Sequence, residues 1–235
     1  MSRRVLAGLA VALACAIGVA DPGRAQDASE ADEDPVDLDE SLYDPENALD
    51  IMEICAGCHG EYGEGGGDGT YPRLAGLPAR YLADELRAFK ARERENIPMY
   101  PFATERELPE ADVRDISLYL SGIELLSQMP ALPDSVEAYE RLQIAKRVFN
   151  VPRREGDVPN GEAVYRQYCR LCHGKAGEGR TRTPPLAGQY TDYLRLQVEK
   201  FLKGERFHKN VPKYLEPLSE QDWNDLYAYL AQLDD

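Results

Sequence analysis

Two pentapeptides, Cys55-Ala56-Gly57-Cys58-His59 and Cys169-Arg170-Leu171-Cys172-His173, carry the residue types best suited to chemistry. Both read C-x-x-C-H, the attachment pattern of a c-type haem. Cysteines at i and i+3 lie one turn apart on one face of a helix. From there their sulfurs can form thioether bonds to two haem vinyl groups. A histidine at i+4 shares that face and can point an imidazole nitrogen at the iron. Two motifs predict two covalently bound haem c groups, attached through Cys55, Cys58, Cys169 and Cys172, with His59 and His173 as proximal iron ligands.

Paired cysteines have other uses. They can build a four-cysteine zinc site, close two disulfides in an exported protein, or act as a redox dithiol. None of these accounts for a histidine directly after both pairs. The 114-residue offset from one motif to the next also exceeds the usual zinc-ribbon spacing of about 15–20.

The N-terminus agrees with haem attachment after export. Arg3 and Arg4 precede an apolar run over residues 5–20, and Ala25 stands among small residues before Gln26. Residues 1–25 read as a secretory signal peptide rather than a membrane span, with cleavage favoured after Ala25 over Ala20. Periplasmic localisation is the expectation. Cys15 lies inside the apolar run and leaves with it. The formal charge is −15, and losing three arginines and one aspartate with residues 1–25 takes it to −17. Residues 26–42 read as an acidic, disordered segment. Its functional reading is electrostatic steering toward a basic partner surface. The sign of the charge disfavours nucleic acid.

The elements that must position the motifs are repeated. Tyr71-Pro72-Arg73-Leu74-Ala75-Gly76 matches Thr183-Pro184-Pro185-Leu186-Ala187-Gly188, and Tyr81-Leu82 with Phe89 matches Tyr193-Leu194 with Phe201. Leu108 to Asp112 and Tyr119-Leu120 match Leu218 to Asp222 and Tyr229-Leu230, with all offsets between 110 and 114. The repeat predicts a first domain over 43–126, a linker over 127–158 and a second domain over 159–235. Asp44-Pro45 is a cap and first-turn pair for a helix from about Glu46 into the first motif. Asn160 is the expected cap for a helix over 161–168. Helical periodicity runs over 77–94, 190–203, 110–121 and 220–233, the last opened by Ser219 with Asp222 three residues on. Residues 63–69 and 174–179 are glycine-rich loops. The middle of the linker, 134–149, reads as an amphipathic helix expected to pack on the domains. No strand pattern appears, so the fold class is all-α. Units of about 80 residues have small cores, so the haem-free chain is expected to fold poorly.

With these features the chain resembles a dihaem class I cytochrome c of the cytochrome c4 type, over residues 43–126 and 159–235. The resemblance implies two tandem cytochrome c domains and periplasmic electron transfer between membrane-bound or soluble redox partners. It implies that the carbonyls of Pro72 and Pro184 accept hydrogen bonds from His59 and His173, which would raise ligand basicity. It also implies a distal methionine in the loop before each closing helix. Met99, between Pro98 and Pro101, stands at that place in the first unit. Met52 is too near Cys55, and Met129 lies past the closing helix.

The second unit departs from the pattern, with no methionine between Phe201 and Leu218 and a loop two residues shorter. His208, Lys209, Lys213 and Tyr214 are the nearby candidates. Val-Pro-Lys-Tyr against Ile-Pro-Met-Tyr favours Lys213. Ligand chemistry favours His208, because lysine must first lose a proton from a group of pKa about 10.4. An open or water-bound iron is the third option. A thioether favours ferrous iron and nitrogen donors favour ferric iron. The first haem should therefore have the higher potential, with electrons entering at the second domain.

The leading functional reading is an electron carrier rather than an enzyme. An enzyme of the dihaem peroxidase or thiosulfate dehydrogenase type is the alternative, given the replaced distal ligand. Thiosulfate dehydrogenases, which the chain resembles, use a distal cysteine, and the chain after residue 25 has none outside its two motifs. A third reading is the electron-transfer subunit of a dehydrogenase or membrane-bound oxidase complex.

Overall fold

In the computed structural model, which describes residues 38–233, each half opens with a helix that leads into its C-x-x-C-H motif. The signal peptide and most of the acidic segment lie outside the described residues. The helices are α1 (Pro45–His59), α2 (Ala79–Lys90), α3 (Glu110–Ser121), α4 (Ala138–Lys146), α5 (Val158–Tyr168), α6 (Arg170–His173), α7 (Thr191–Leu202), α8 (Val211–Tyr214) and α9 (Glu220–Leu230). Among the described residues the only β pairing is isolated bridges. No helix among them is long and apolar enough to cross a membrane.

Local chemistry sets the helix ends. Asp44 caps α1 by accepting from the Glu46 and Asn47 amides, with Pro45 in the first turn where its missing N–H costs nothing. Ser219 and Asp222 form a reciprocal capping box on α9, which satisfies two otherwise orphaned donors. The cap of α5 differs from the sequence expectation. Asp157, not Asn160, is the N-cap, because its side chain accepts from the Asn160 amide and Pro159 sits in the first turn. Asn160 turns its own amide group to Asp225 at 2.8 Å. The linker helix is also shorter than 134–149. The end of the acidic segment is ordered rather than disordered: Glu40–Leu42 form a 3-10 turn capped by Asp39, and Leu38 packs against the small core cluster of Ala83, Leu108 and Val113.

Each half is closed by packing its last long helix against its first. In the first half Asp115 of α3 accepts from the Asp44 backbone and the Asn47 side chain. In the second, Asp225 of α9 accepts from the Asp157 backbone and Asn160. The buried carboxylate thus ties the start of one helix to the middle of another. At this crossing α5 carries Gly161, where a Cβ would lie 2.0 Å from the Asp225 carbonyl oxygen. Ala48 holds the same place in α1 and is fully buried.

The linker folds back onto both halves. Its Arg147 and Phe149 pair with Leu126, Gln143 accepts from the Tyr62 hydroxyl, and Lys146 pairs with Glu61 at 2.8 Å. Phe149 packs edge-on to Tyr190 with ring centroids 5.2 Å apart. The halves also meet through a polar cluster at repeat-equivalent positions. Arg94 donates to Glu85 at 2.6 Å and to the Tyr193 hydroxyl at 2.8 Å. Arg206 donates to Glu85 at 2.6 Å, to the Tyr81 hydroxyl at 3.1 Å and to Gln197 at 2.7 Å.

Candidate functional site

Cys55, Cys58 and His59 end α1, while Cys169 interrupts the second helix so that Cys172 and His173 sit on the short α6. His59 donates from Nδ1 to the Pro72 carbonyl at 3.0 Å, and His173 donates to the Pro184 carbonyl at 2.9 Å. A carbonyl oxygen only accepts, so Nδ1 holds the proton in both rings and Nε2 keeps a lone pair. Burial pushes both imidazoles below the ordinary histidine pKa, against the opposing pull of the carbonyl bond. Each is therefore a neutral, oriented nitrogen donor near neutral pH. The prolines are held close by Gly65 (φ 84°) and Gly179 (φ 72°). A Cβ there would lie 2.8 Å and 2.7 Å from the carbonyl carbons of Pro72 and Pro184.

The cysteines do not have the character of the rival sites. Burial pushes the Cys55 thiol up to about 11 and the Cys169 thiol up to about 12, the reverse of a redox-active thiol. Cys55 packs against the core cluster that includes Met52, Leu77 and Leu120, and Cys169 against the one that includes Val164, Leu226 and Leu230. The two pairs thus belong to separate cores and assemble no four-cysteine centre. All four are free of disulfides.

On the distal side of the first half, Met99 ends a 3-10 turn, Ile97–Met99, and is half-buried. Met52 is core and Met129 is 43% exposed. In the second half α8 follows Asn210 as the Met99 turn follows Asn96, which sets Lys213 in register with Met99. Lys213 is nevertheless exposed, and its Nζ lies 4.9 Å from the centroid of the Tyr214 ring. Lys209 is exposed as well. His208 is half-buried against Phe201, ring centroids 5.0 Å apart. Its Nδ1 is buried without a hydrogen bond. Burial lowers the His208 pKa more than the Lys209 backbone raises it, and His208 in turn helps to lower that of His173. Ile97 (78% exposed) and Phe207 (86%) flank the two distal loops, apolar side chains of the kind a porphyrin covers. Neutral histidines with free Nε2 lone pairs, paired cysteines and an orphaned buried imidazole nitrogen all fit haem.

Sequence reasoning missed the polar cluster and Gln189, which is 4% exposed at the interface. The signal for the cluster was present: Tyr81 and Tyr193, Glu85 and Gln197, Arg94 and Arg206 all share an offset of 112.

An all-helical chain with two C-x-x-C-H units, each with its own proline-anchored histidine, has the build of a dihaem c-type cytochrome. Residues 48–124 match the family described as cytochrome c, and residues 156–230 match cytochrome c oxidase, cbb3-type, subunit III. A thiosulfate dehydrogenase electron acceptor of Stutzerimonas stutzeri is 31% identical over 198 residues, 82% of this chain and 77% of that protein. One from Thiomonas intermedia is 33% identical over 153 residues, 65% of this chain, and the chain spans 64% of that relative's length. The crystal structure of reduced recombinant cytochrome c4 from Pseudomonas stutzeri has the same fold, with TM-score 0.62, 23% identity, and coverage of 81% of this chain and 99% of that one. The chain belongs to the dihaem cytochromes c and has the fold of cytochrome c4, and its two domains carry two covalently bound haem c groups.

Proposed function

We propose that the chain is a periplasmic electron carrier with two unequal sites. Cys55, Cys58, His59 and Met99 would hold the first haem, and Cys169, Cys172, His173 and His208 the second. Bound haem supplies a one-electron ferric/ferrous couple at each site. The residues set its potential. The Met99 thioether favours the ferrous state and the His208 imidazole the ferric state, so the first site holds the higher potential. That ordering makes the second domain the entry and the first the exit. Pro72 and Pro184 fix the orientation of the proximal rings and raise their basicity. The observation that carries this reading is the repeated histidine–proline hydrogen bond at 3.0 Å and 2.9 Å.

The relatives' names point to a thiosulfate-oxidising dehydrogenase as the donor. A chain of net charge −15 suits donors and acceptors with basic docking surfaces, a membrane-bound oxidase among them. The alternative, that the chain itself oxidises thiosulfate, is favoured by the departure of the second distal ligand from methionine. One experiment separates them. Thiosulfate added to the purified holoprotein leaves both haems oxidised, and adding a thiosulfate dehydrogenase reduces them. Reduction by thiosulfate alone would make the chain an enzyme.

A further inference from the structure

One side chain of the second half reaches the peptide group that orients the proximal histidine of the first. Gln189 stands 116 residues from Arg73, and its Oε1 accepts from the Arg73 backbone N–H at 3.0 Å. Its Nε2 donates to the Arg73 carbonyl at 2.9 Å. The same Oε1 also accepts from the Tyr190 amide at 3.1 Å. The Arg73 N–H and the Pro72 C=O belong to one peptide group, and that C=O accepts from His59 Nδ1. Hydrogen bonds in such a chain polarise one another. Engagement of the N–H makes the Pro72 oxygen a stronger acceptor, which draws the His59 proton further and makes its Nε2 a stronger donor.

The second half cannot make this connection. Its histidine donates to Pro184, and the next residue is Pro185, which has no N–H. The relay therefore exists on one side of the molecule only.

We propose that Gln189 is a positioning residue through which the docked second domain tunes the iron ligand of the first, lowering the potential of haem 1 and narrowing the gap between the two sites. This rests on His59 as the axial ligand of haem 1. The interdomain contact is thereby part of the redox tuning as well as of the packing.

The test uses the full-length holoprotein. Gln189→Met removes both hydrogen bonds with little change in volume, and Gln189→Glu keeps the acceptor for the Arg73 N–H. Spectroscopically resolved potentiometry should show haem 1 raised in Q189M with haem 2 unchanged. Haem 1 in Q189E should stay at or below the wild-type value. The His59 Nδ1–H resonance should shift in Q189M, and the His173 one should not. An unmoved haem 1 in Q189M, an equal shift of both haems, or a rise in Q189E as well would overturn the proposal. Where Q189M does not fold, Gln189→Ala, which also removes both hydrogen bonds, is read by the same signs. A His59→Ala variant isolates the underlying reading. If it leaves haem 1 low-spin, the ligand assignment itself fails, whereas a loss of that spectrum with Q189M silent sinks the relay alone.

Discussion

At the residue scale the two distal loops separate what the motifs make equal. His208 has the properties an iron ligand needs, being neutral, half-buried and carrying a buried nitrogen without a partner. Lys213 has the sequence register of Met99 but points its ammonium over Tyr214 in solvent. Freeing that amine for a metal would cost both the contact and a proton. Replacing His208 with alanine should convert the second haem from low spin to high spin and open it to cyanide or carbon monoxide. Lys213→Ala should leave both spectra as they are. Optical and electron paramagnetic resonance spectra of the two variants check this, and the opposite pattern would return Lys213 to the coordination sphere. Motif residues were legible from the chain because haem attachment needs fixed chemistry at fixed spacing. His208 was legible only as one of several candidates, since its burial depends on where Phe201 lies.

At the element scale the closing of each domain depends on a small residue at one helix crossing. Alanine at position 161 gains up to about 1 kcal/mol in helix propensity. It also places a methyl 2.0 Å from a backbone oxygen of α9, and overpacking of this kind costs about 1–3 kcal/mol. Because the obstacle is backbone, relief requires α5 and α9 to separate. Gly161→Ala should therefore lower the stability of the second domain in denaturant titrations, with the signal of the first haem retained. Unchanged stability would show that the crossing has slack. Helix 110–121 was legible to the residue because Pro109 and Gly122 punctuate it. The start of α5 was not, because Asp157 and Asn160 are both good caps and only the position of Asp225 decides between them. The short α8 hides inside a loop with no periodicity to reveal it.

On the scale of the whole molecule, the halves are joined by two guanidiniums around one carboxylate. Burial alone would raise the Glu85 pKa, but Arg94 and Arg206 outweigh it and hold the carboxyl below its ordinary value. The Asp115 carboxyl is lowered in the same way, with burial overcome by Arg114, Asn47 and the Asp44 amide. A carboxylate whose folded pKa is depressed contributes stability that is present above its unfolded pKa, about 4.3 for Glu and 3.9 for Asp. That stability is lost as pH falls through the lower folded value. Acidification below about pH 4 should loosen the domain contact, and Glu85→Gln should remove most of that interdomain sensitivity. Small-angle scattering against pH follows it, and a Glu85→Gln variant as acid-sensitive as the wild type would contradict the assignment. The tandem architecture was legible because the repeat keeps its order and offset. The interface was not, because no pattern within one repeat says which face meets the other copy, and Gln189 has no chemical mark until Arg73 is beside it.

The central claim is that one chain holds two haems made unequal by their distal ligands. A redox titration of the holoprotein, with spectroscopy that resolves the axial ligands of each haem, tests it most directly. The account predicts two midpoint potentials, with the His/Met haem of the first domain the higher and a bis-histidine haem in the second. A single shared potential, or a second haem at the higher potential, would contradict it.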